Sequence, residues 1–183
     1  MNKLYFSIAF WMILQGTMAQ NRVNSISIET FGATNTVGIN YDTRFNGNCD
    51  WGYRVGIGYC YADNSSLFSE QLIRGFGMPL EVNYLLGKKS NKLELGVGTN
   101  IGFYQVSNVR SSFFDLSSGD AKGDDVGKDN RFGYFLFANI GYRHQRPCGF
   151  VWRAGVTPSI NLGDVHGLER AMFYPYIGFG WSF

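Results

Sequence analysis

Large apolar side chains recur at every second position through eight stretches of the chain, and that period-two rhythm predicts strands. In the first stretch Ile26, Ile28 and Thr30 oppose Ser25, Ser27 and Glu29; in the second Val37, Ile39, Tyr41, Thr43 and Phe45 oppose Gly38, Asn40, Asp42 and Arg44. The third sets Tyr53, Val55, Ile57, Tyr59 and Tyr61 against Gly52, Arg54, Gly56, Gly58 and Cys60. The fourth sets Phe76, Met78, Leu80, Val82, Tyr84 and Leu86 against Gly77, Pro79, Glu81, Asn83 and Leu85. The fifth is the cleanest, with Leu93, Leu95, Val97, Thr99, Ile101 and Phe103 facing away from Glu94, Gly96, Gly98, Asn100, Gly102 and Tyr104. The sixth, from Arg131 to Arg143, is blurred because Phe135 and Phe137 interrupt its polar face. The seventh runs from Phe150 to Ile160, and the eighth is the closing MFYPYIGFGWSF, where Phe173, Pro175, Ile177, Phe179, Trp181 and Phe183 share a face.

The connections between these stretches alternate in length. Short, turn-like ones span 46–50, 87–91 and 144–148, whereas long polar ones span 62–75, 105–130 and 161–171; only GATN at 32–35 breaks the long class. Short turns at one end and long loops at the other are the plan of an up-and-down membrane barrel, and a sandwich has no reason to sort its loops so. Ten-residue strands at ~3.3 Å per residue, tilted about 40°, also project to roughly the 25 Å of such a barrel's apolar band. Pro147 falls in a turn, and Pro79, Pro158 and Pro175 are expected at the long-loop ends of their strands, where a missing ladder donor is tolerable.

The two faces differ in charge. One carries aliphatic and aromatic residues alone; the other carries Glu29, Asp42, Glu81 and Glu94 with Arg44, Arg54, Arg131, Arg143 and Arg153. In a soluble barrel the apolar face points inward; in a membrane barrel it meets lipid and the charged face fills the lumen, and periodicity alone fits both. Three features favour lipid outside. Trp51, Tyr53, Phe150, Trp152, Trp181 and Phe183 cluster near the short-turn end, where an interfacial girdle sits. Eight faces of rings would overfill a small interior, which glycines suit better. Five arginines against four acids are nearly balanced, as an internal ion-pair network must be.

Composition agrees, since 17% aromatic residues and 24 glycines with few helix formers favour an all-β chain. The first residues read as a secretory signal: Lys3, an apolar run from Leu4 to Leu14, and small residues at Thr17 and Ala19. Cleavage after Ala19 leaves a domain at 20–183 of 164 residues with 15 basic and 14 acidic side chains, a balance that gives no hint of nucleic acid. No mature segment is apolar for the ~20 residues that a spanning helix needs.

The stretches PLEVNYLLGKKSNKLELGVG (79–98) and GYRHQRPCGFVWRAGVTPSI (141–160) resemble motifs of small outer-membrane β-barrel proteins of Bacteroidetes, mostly uncharacterised. The aromatic-x-aromatic ending resembles the C-terminal recognition signal of outer-membrane proteins, which implies an assembly role for Phe179, Trp181 and Phe183. The resemblance covers most of the mature chain and brings no catalytic residue. The acidic stretch at 105–130 matches nothing in it.

Candidate chemistry is sparse. His144 falls in a short turn and His166 in a long loop, so they cannot share a metal. His166, Glu169 and Ser159 offer the residue types of a Ser/His/acid set but no distinctive motif. Asp120, Asp124, Asp125 and Asp129 crowd one loop without EF-hand spacing, and Cys49, Cys60 and Cys148 form no C-x-x-C pair, although Cys49 and Cys148 share an end and a disulfide between them stays open.

The expected fold is therefore all-β, a single eight-stranded antiparallel transmembrane up-and-down β-barrel in the bacterial outer membrane. The expected role is structural or surface-interacting, through long extracellular loops, with no catalytic site, metal or cofactor. Its partners are outer-membrane lipid, lipopolysaccharide and the barrel assembly machinery. The alternatives are a narrow channel gated by the Arg/Glu network, a lipid A-modifying enzyme, and a secreted soluble barrel.

Overall fold

The computed structural model describes residues 23–46, 49–66, 69–87, 89–109, 126–161 and 171–183. Eight strands follow one another: β1 (Asn24–Phe31), β2 (Val37–Arg44), β3 (Trp51–Ser66), β4 (Ser69–Leu86), β5 (Asn91–Val109), β6 (Val126–Gln145), β7 (Gly149–Asn161) and β8 (Ala171–Ser182). Each pairs with its sequence neighbour, and β8 returns to β1, so the sheet closes with no free edge. The closure joins Trp181 to Ile26 and Phe179 to Ile28. Reciprocal backbone bonds between Asn24 and Phe183, 3.1 and 2.9 Å, seal its short-turn end.

The apolar face points outward. Ile57, Val97 and Phe103 are 66%, 64% and 73% exposed, while Glu94, Asn83 and Asn100 on the opposite face are at 0%. An apolar belt continuous around the barrel is not a surface that water tolerates. Rings edge the belt at both ends. Near the short turns Trp51 meets Tyr84 and Tyr142 meets Trp152, each at 4.9 Å; towards the other end Tyr59 meets Phe76 at 5.2 Å and Phe103 meets Phe132 at 5.3 Å.

The short turns lie where the spacing predicts, but the opposite end is built differently. Most of 62–75 is not a loop: β3 and β4 continue as a paired ladder until Ser66 meets Ser69. Of 105–130, the ladder of β5 and β6 takes up the flanks as far as Val109 and Val126, and the remainder, with 162–170, lies outside the described residues. These extensions lack the continuous outward apolar face that marks the belt, because beyond a membrane the outer side of a strand meets water. The rim is consequently uneven: β1 and β2 have 8 residues each and β8 has 12, whereas β4, β5 and β6 have 18, 19 and 20.

Pro79 departs from its expected place. It sits within the wall, paired with Asn100 of β5, and the β3–β4 register breaks between Val55–Leu80 and Gly58–Gly77. Pro158 keeps its expected place, three residues from the end of β7, yet interrupts the β6–β7 ladder in the same way, between Phe137–Ser159 and Ile140–Val156. A proline presents no donor, so each ladder breaks on that side and resumes beyond. Pro175 does lie near the rim, one residue before β8 reaches the end of β1 at Phe31.

Candidate functional site

The inward faces of the strands converge on one side-chain cluster. Strand alternation delivers Glu29 from β1, Asp42 and Arg44 from β2, Arg54 from β3, Glu81 and Asn83 from β4, and Glu94 from β5. Arg143 comes from β6 and Arg153 from β7, and all nine are buried. Four acids meet four arginines, so the cluster is neutral as a set.

Arg54 is a bridge between two carboxylates: its Nη1 donates to Glu29 at 3.0 Å and its Nη2 donates to Glu81 at closer range. Arg143 crosses the lumen and forks onto Asp42, with both bonds at 3.0 Å. That bidentate geometry is the strong form of an arginine–carboxylate pair. Arg44 holds the same Asp42 at 2.5 Å. Arg153 lies 3.2 Å from Glu94 and 3.5 Å from Glu29, with its guanidinium 4.9 Å from the centre of the Tyr176 ring. Amides complete the mesh: Asn83 donates to Asp42 and Asn139 donates to Glu81, both at 2.7 Å. Charges this deeply buried are stable only when paired, and these pairs tie β1 through β7 together across the interior.

Glycines make the room. A Cβ on Gly96 would sit 2.1 Å from Glu81 Oε1, one on Gly52 2.4 Å from Arg44 Cζ, and one on Gly178 3.0 Å from Arg153 Cγ. Gly180 serves no arginine; it lies against the β1 backbone at Ile26 and Ser27.

The GATN connection is the largest surprise of the interior. It turns inward as a single 3-10 turn, Gly32–Thr34, in which all three residues are buried and Ala33 and Thr34 are at 0% exposure. This plug sits directly over the charged cluster. Asn100 donates to Ala33 O at 2.6 Å, and Thr34 donates to Phe31 O at 3.0 Å and lies 3.4 Å from Glu29 Oε1. Phe31 and Asn35, on either side, have φ of 62° and 65°, a conformation that non-glycine residues adopt only when their surroundings enforce it. Sequence reading missed the plug; the signals available were a connection too short for its class and the bare wall at Gly38 and Gly58, where a Cβ would meet Thr34 at 2.9 and 2.2 Å.

Arg131 does not join the cluster. It lies farther up β6 and lines a separate chamber above the plug, as does Ser159. His166 and Glu169 fall outside the described residues, as do Asp120, Asp124 and Asp125; for Asp129 only the backbone is described, paired with Val106. His144 sits beside Asn91, with its Nδ1 2.7 Å from Oδ1. Cys49, Cys60 and Cys148 are free thiols, so the disulfide left open between Cys49 and Cys148 is not formed. Among the described residues no group of three His, Cys, Asp or Glu side chains could hold a metal. Phe179, Trp181 and Phe183 project outward at the short-turn end, 50%, 58% and 51% exposed.

A closed antiparallel barrel with an apolar exterior, ringed at both ends by aromatics and packed inside with paired charges, is a transmembrane β-barrel. Solved structures bear out that class. The N-terminal β-barrel domain of Pseudomonas aeruginosa OprF superposes with a TM-score of 0.52 at 13% identity, over 90% of this chain and 98% of that one. A major outer membrane protein from Thermus thermophilus superposes with a TM-score of 0.64 at 8% identity, over 88% and 99%. At these identities the likeness is one of fold. No family model matches the chain, and no curated protein does.

Proposed function

We propose that this protein is an integral outer-membrane β-barrel of the bacterial envelope, exported by a cleaved signal at residues 1–19, with the short turns in the periplasm and the tall rim outside. Its role is to present that outer rim and its loops to the exterior, and the wall itself neither conducts nor catalyses. The single observation behind this reading is the filled lumen: a neutral mesh of four arginines and four acids, roofed by the Gly32–Thr34 turn. Eight strands enclose only enough space for side chains, and here side chains occupy it. The Thermus barrel to which the chain is similar is described as a major outer membrane protein, which supports the compartment. The motifs at 79–98 and 141–160 resemble those of small outer-membrane barrels of Bacteroidetes, which agrees with this reading. Lipid and lipopolysaccharide are then its standing neighbours, and the barrel assembly machinery its partner during insertion.

Single-channel recording of the purified protein in a planar bilayer tests this directly. Silence at moderate voltage is the expected result, whereas discrete, reproducible conductance steps establish the gated-channel alternative instead. The assembly role of the C-terminus has its own test. Deleting Phe183 is expected to reduce the heat-modifiable, membrane-inserted fraction several-fold in cells; undiminished insertion removes Phe183 from the assembly signal.

A further inference from the structure

Above the plug the inner wall changes character. Ile73 and Val106, paired across β4 and β5, occupy the face that carries charge lower down, yet they are apolar and only 3% and 4% exposed. With Ala62, Phe135 and Tyr174 they surround a cavity of about 140 Å³. One side of it is the Tyr104 ring, which lies flat on bare wall: a Cβ on Gly75, Gly102 or Gly133 would come within 2.7, 2.7 and 3.2 Å of that ring. Arg131, Ser159 and Asn161 also line it, and each already engages another group. Asn35 donates to the Tyr104 hydroxyl at 3.4 Å, and that hydroxyl reaches Asn100 at 3.5 Å, both at the long limit of a hydrogen bond and therefore readily exchanged for a better partner. Among the described residues no carboxylate lines the chamber while Arg131 does, which disfavours a cationic guest.

We propose that this chamber is a binding site for a small single-ring aromatic molecule bearing one hydroxyl group. The volume sets the size, since an apolar cavity of about 150 Å³ accommodates one benzene ring. Flat aromatic walls favour a ring over a branched aliphatic body, through offset and edge contacts with Tyr104, Phe135 and Tyr174. The hydroxyl replaces the two long bonds at Tyr104 and Asn35 with shorter ones, so the ligand is held at one end and packed at the other, as small-molecule sites generally are. The site is independent of the charged cluster, from which the plug separates it.

The sequence supplies a reporter. Ile73 faces the chamber, while Ile26, Ile28, Ile39, Ile57, Ile101, Ile140, Ile160 and Ile177 all face outward, between 38% and 66% exposed. In barrel reconstituted in detergent micelles with isotope-labelled isoleucine methyl groups, phenol is titrated and the methyl resonances are followed. The Ile73 methyl is expected to shift saturably, with half-saturation at roughly millimolar phenol, the affinity a ligand of so few atoms reaches. The outward isoleucines shift linearly and weakly as phenol partitions into the micelle. Gly133→Leu, which pushes against Tyr104 and fills the chamber, is expected to abolish the saturable component; Ala62→Trp fills it from β3 and gives the same readout if Gly133→Leu does not fold. An Ile73 response that is linear like the others, or saturable but unchanged in both filled variants, overturns the proposal.

Discussion

Arg54→Met is expected to destabilise the folded barrel by about 3 to 5 kcal/mol, the cost of removing one partner from a buried ion pair and leaving its carboxylates uncompensated. Arg54 is 1% exposed and holds Glu29 and Glu81 at once, so its loss leaves Glu81 without its arginine and Glu29 with only Arg153 at 3.5 Å. The readout is a urea titration in lipid vesicles, with the folded fraction measured by gel mobility before and after boiling. The cause is separable from packing: Arg54→Met combined with Glu29→Gln and Glu81→Gln removes the bridge and both charges together, and should recover at least half of the loss. If the triple variant is as unstable as the single one, the arginine acts by filling volume and the electrostatic account fails.

Val97→Lys carries the second large effect. Val97 is 64% exposed and stands midway along the β5 stretch from Leu93 to Phe103, hence near the centre of the apolar belt. On a water-facing surface such a change is worth within about 0.5 kcal/mol. At the middle of a bilayer it costs about 2 to 4 kcal/mol. The same titration reads it, and Gln105→Lys, exposed farther up the same strand, serves as the control with a near-zero effect. A Val97→Lys barrel as stable as the parent in lipid, or one that is stable without detergent, contradicts a membrane-spanning belt.

The belt was legible because alternation sorts the residues into two faces, and the aromatic girdle and the balanced charges tell which face meets lipid. Ile26, Ile28, Phe179 and Trp181 all carry the signal, and even the ring closure between them follows from it. Eight of the nine charged residues on the opposite face meet in one cluster for the same reason: strand parity decides which residues share a face before any contact is known. What parity cannot supply is height. Arg131 shares the parity of Arg143 but stands twelve residues higher on β6, beyond the plug, and belongs to another compartment of the lumen. The intrusions of Phe135 and Phe137 into the polar face were visible as irregularities. The meaning of Phe135, which lines an upper chamber above the charged cluster, required knowing that the Gly32–Thr34 turn folds inward between the two. The ladder of 62–75 was hidden for a complementary reason: backbone pairing leaves little mark on a sequence where the outer face no longer needs to be apolar.

The uneven rim gives the barrel a front and a back. β6 continues nine residues past the point where Phe135 pairs with Asn161 of β7, roughly 30 Å of strand at ~3.3 Å per residue, so one arc of the wall stands as a parapet and the other as a sill. Rotation about the barrel axis is therefore not neutral. Any complex this protein forms in the membrane plane has a compass bearing, and cysteine cross-linking around the circumference will find its neighbours in one quadrant.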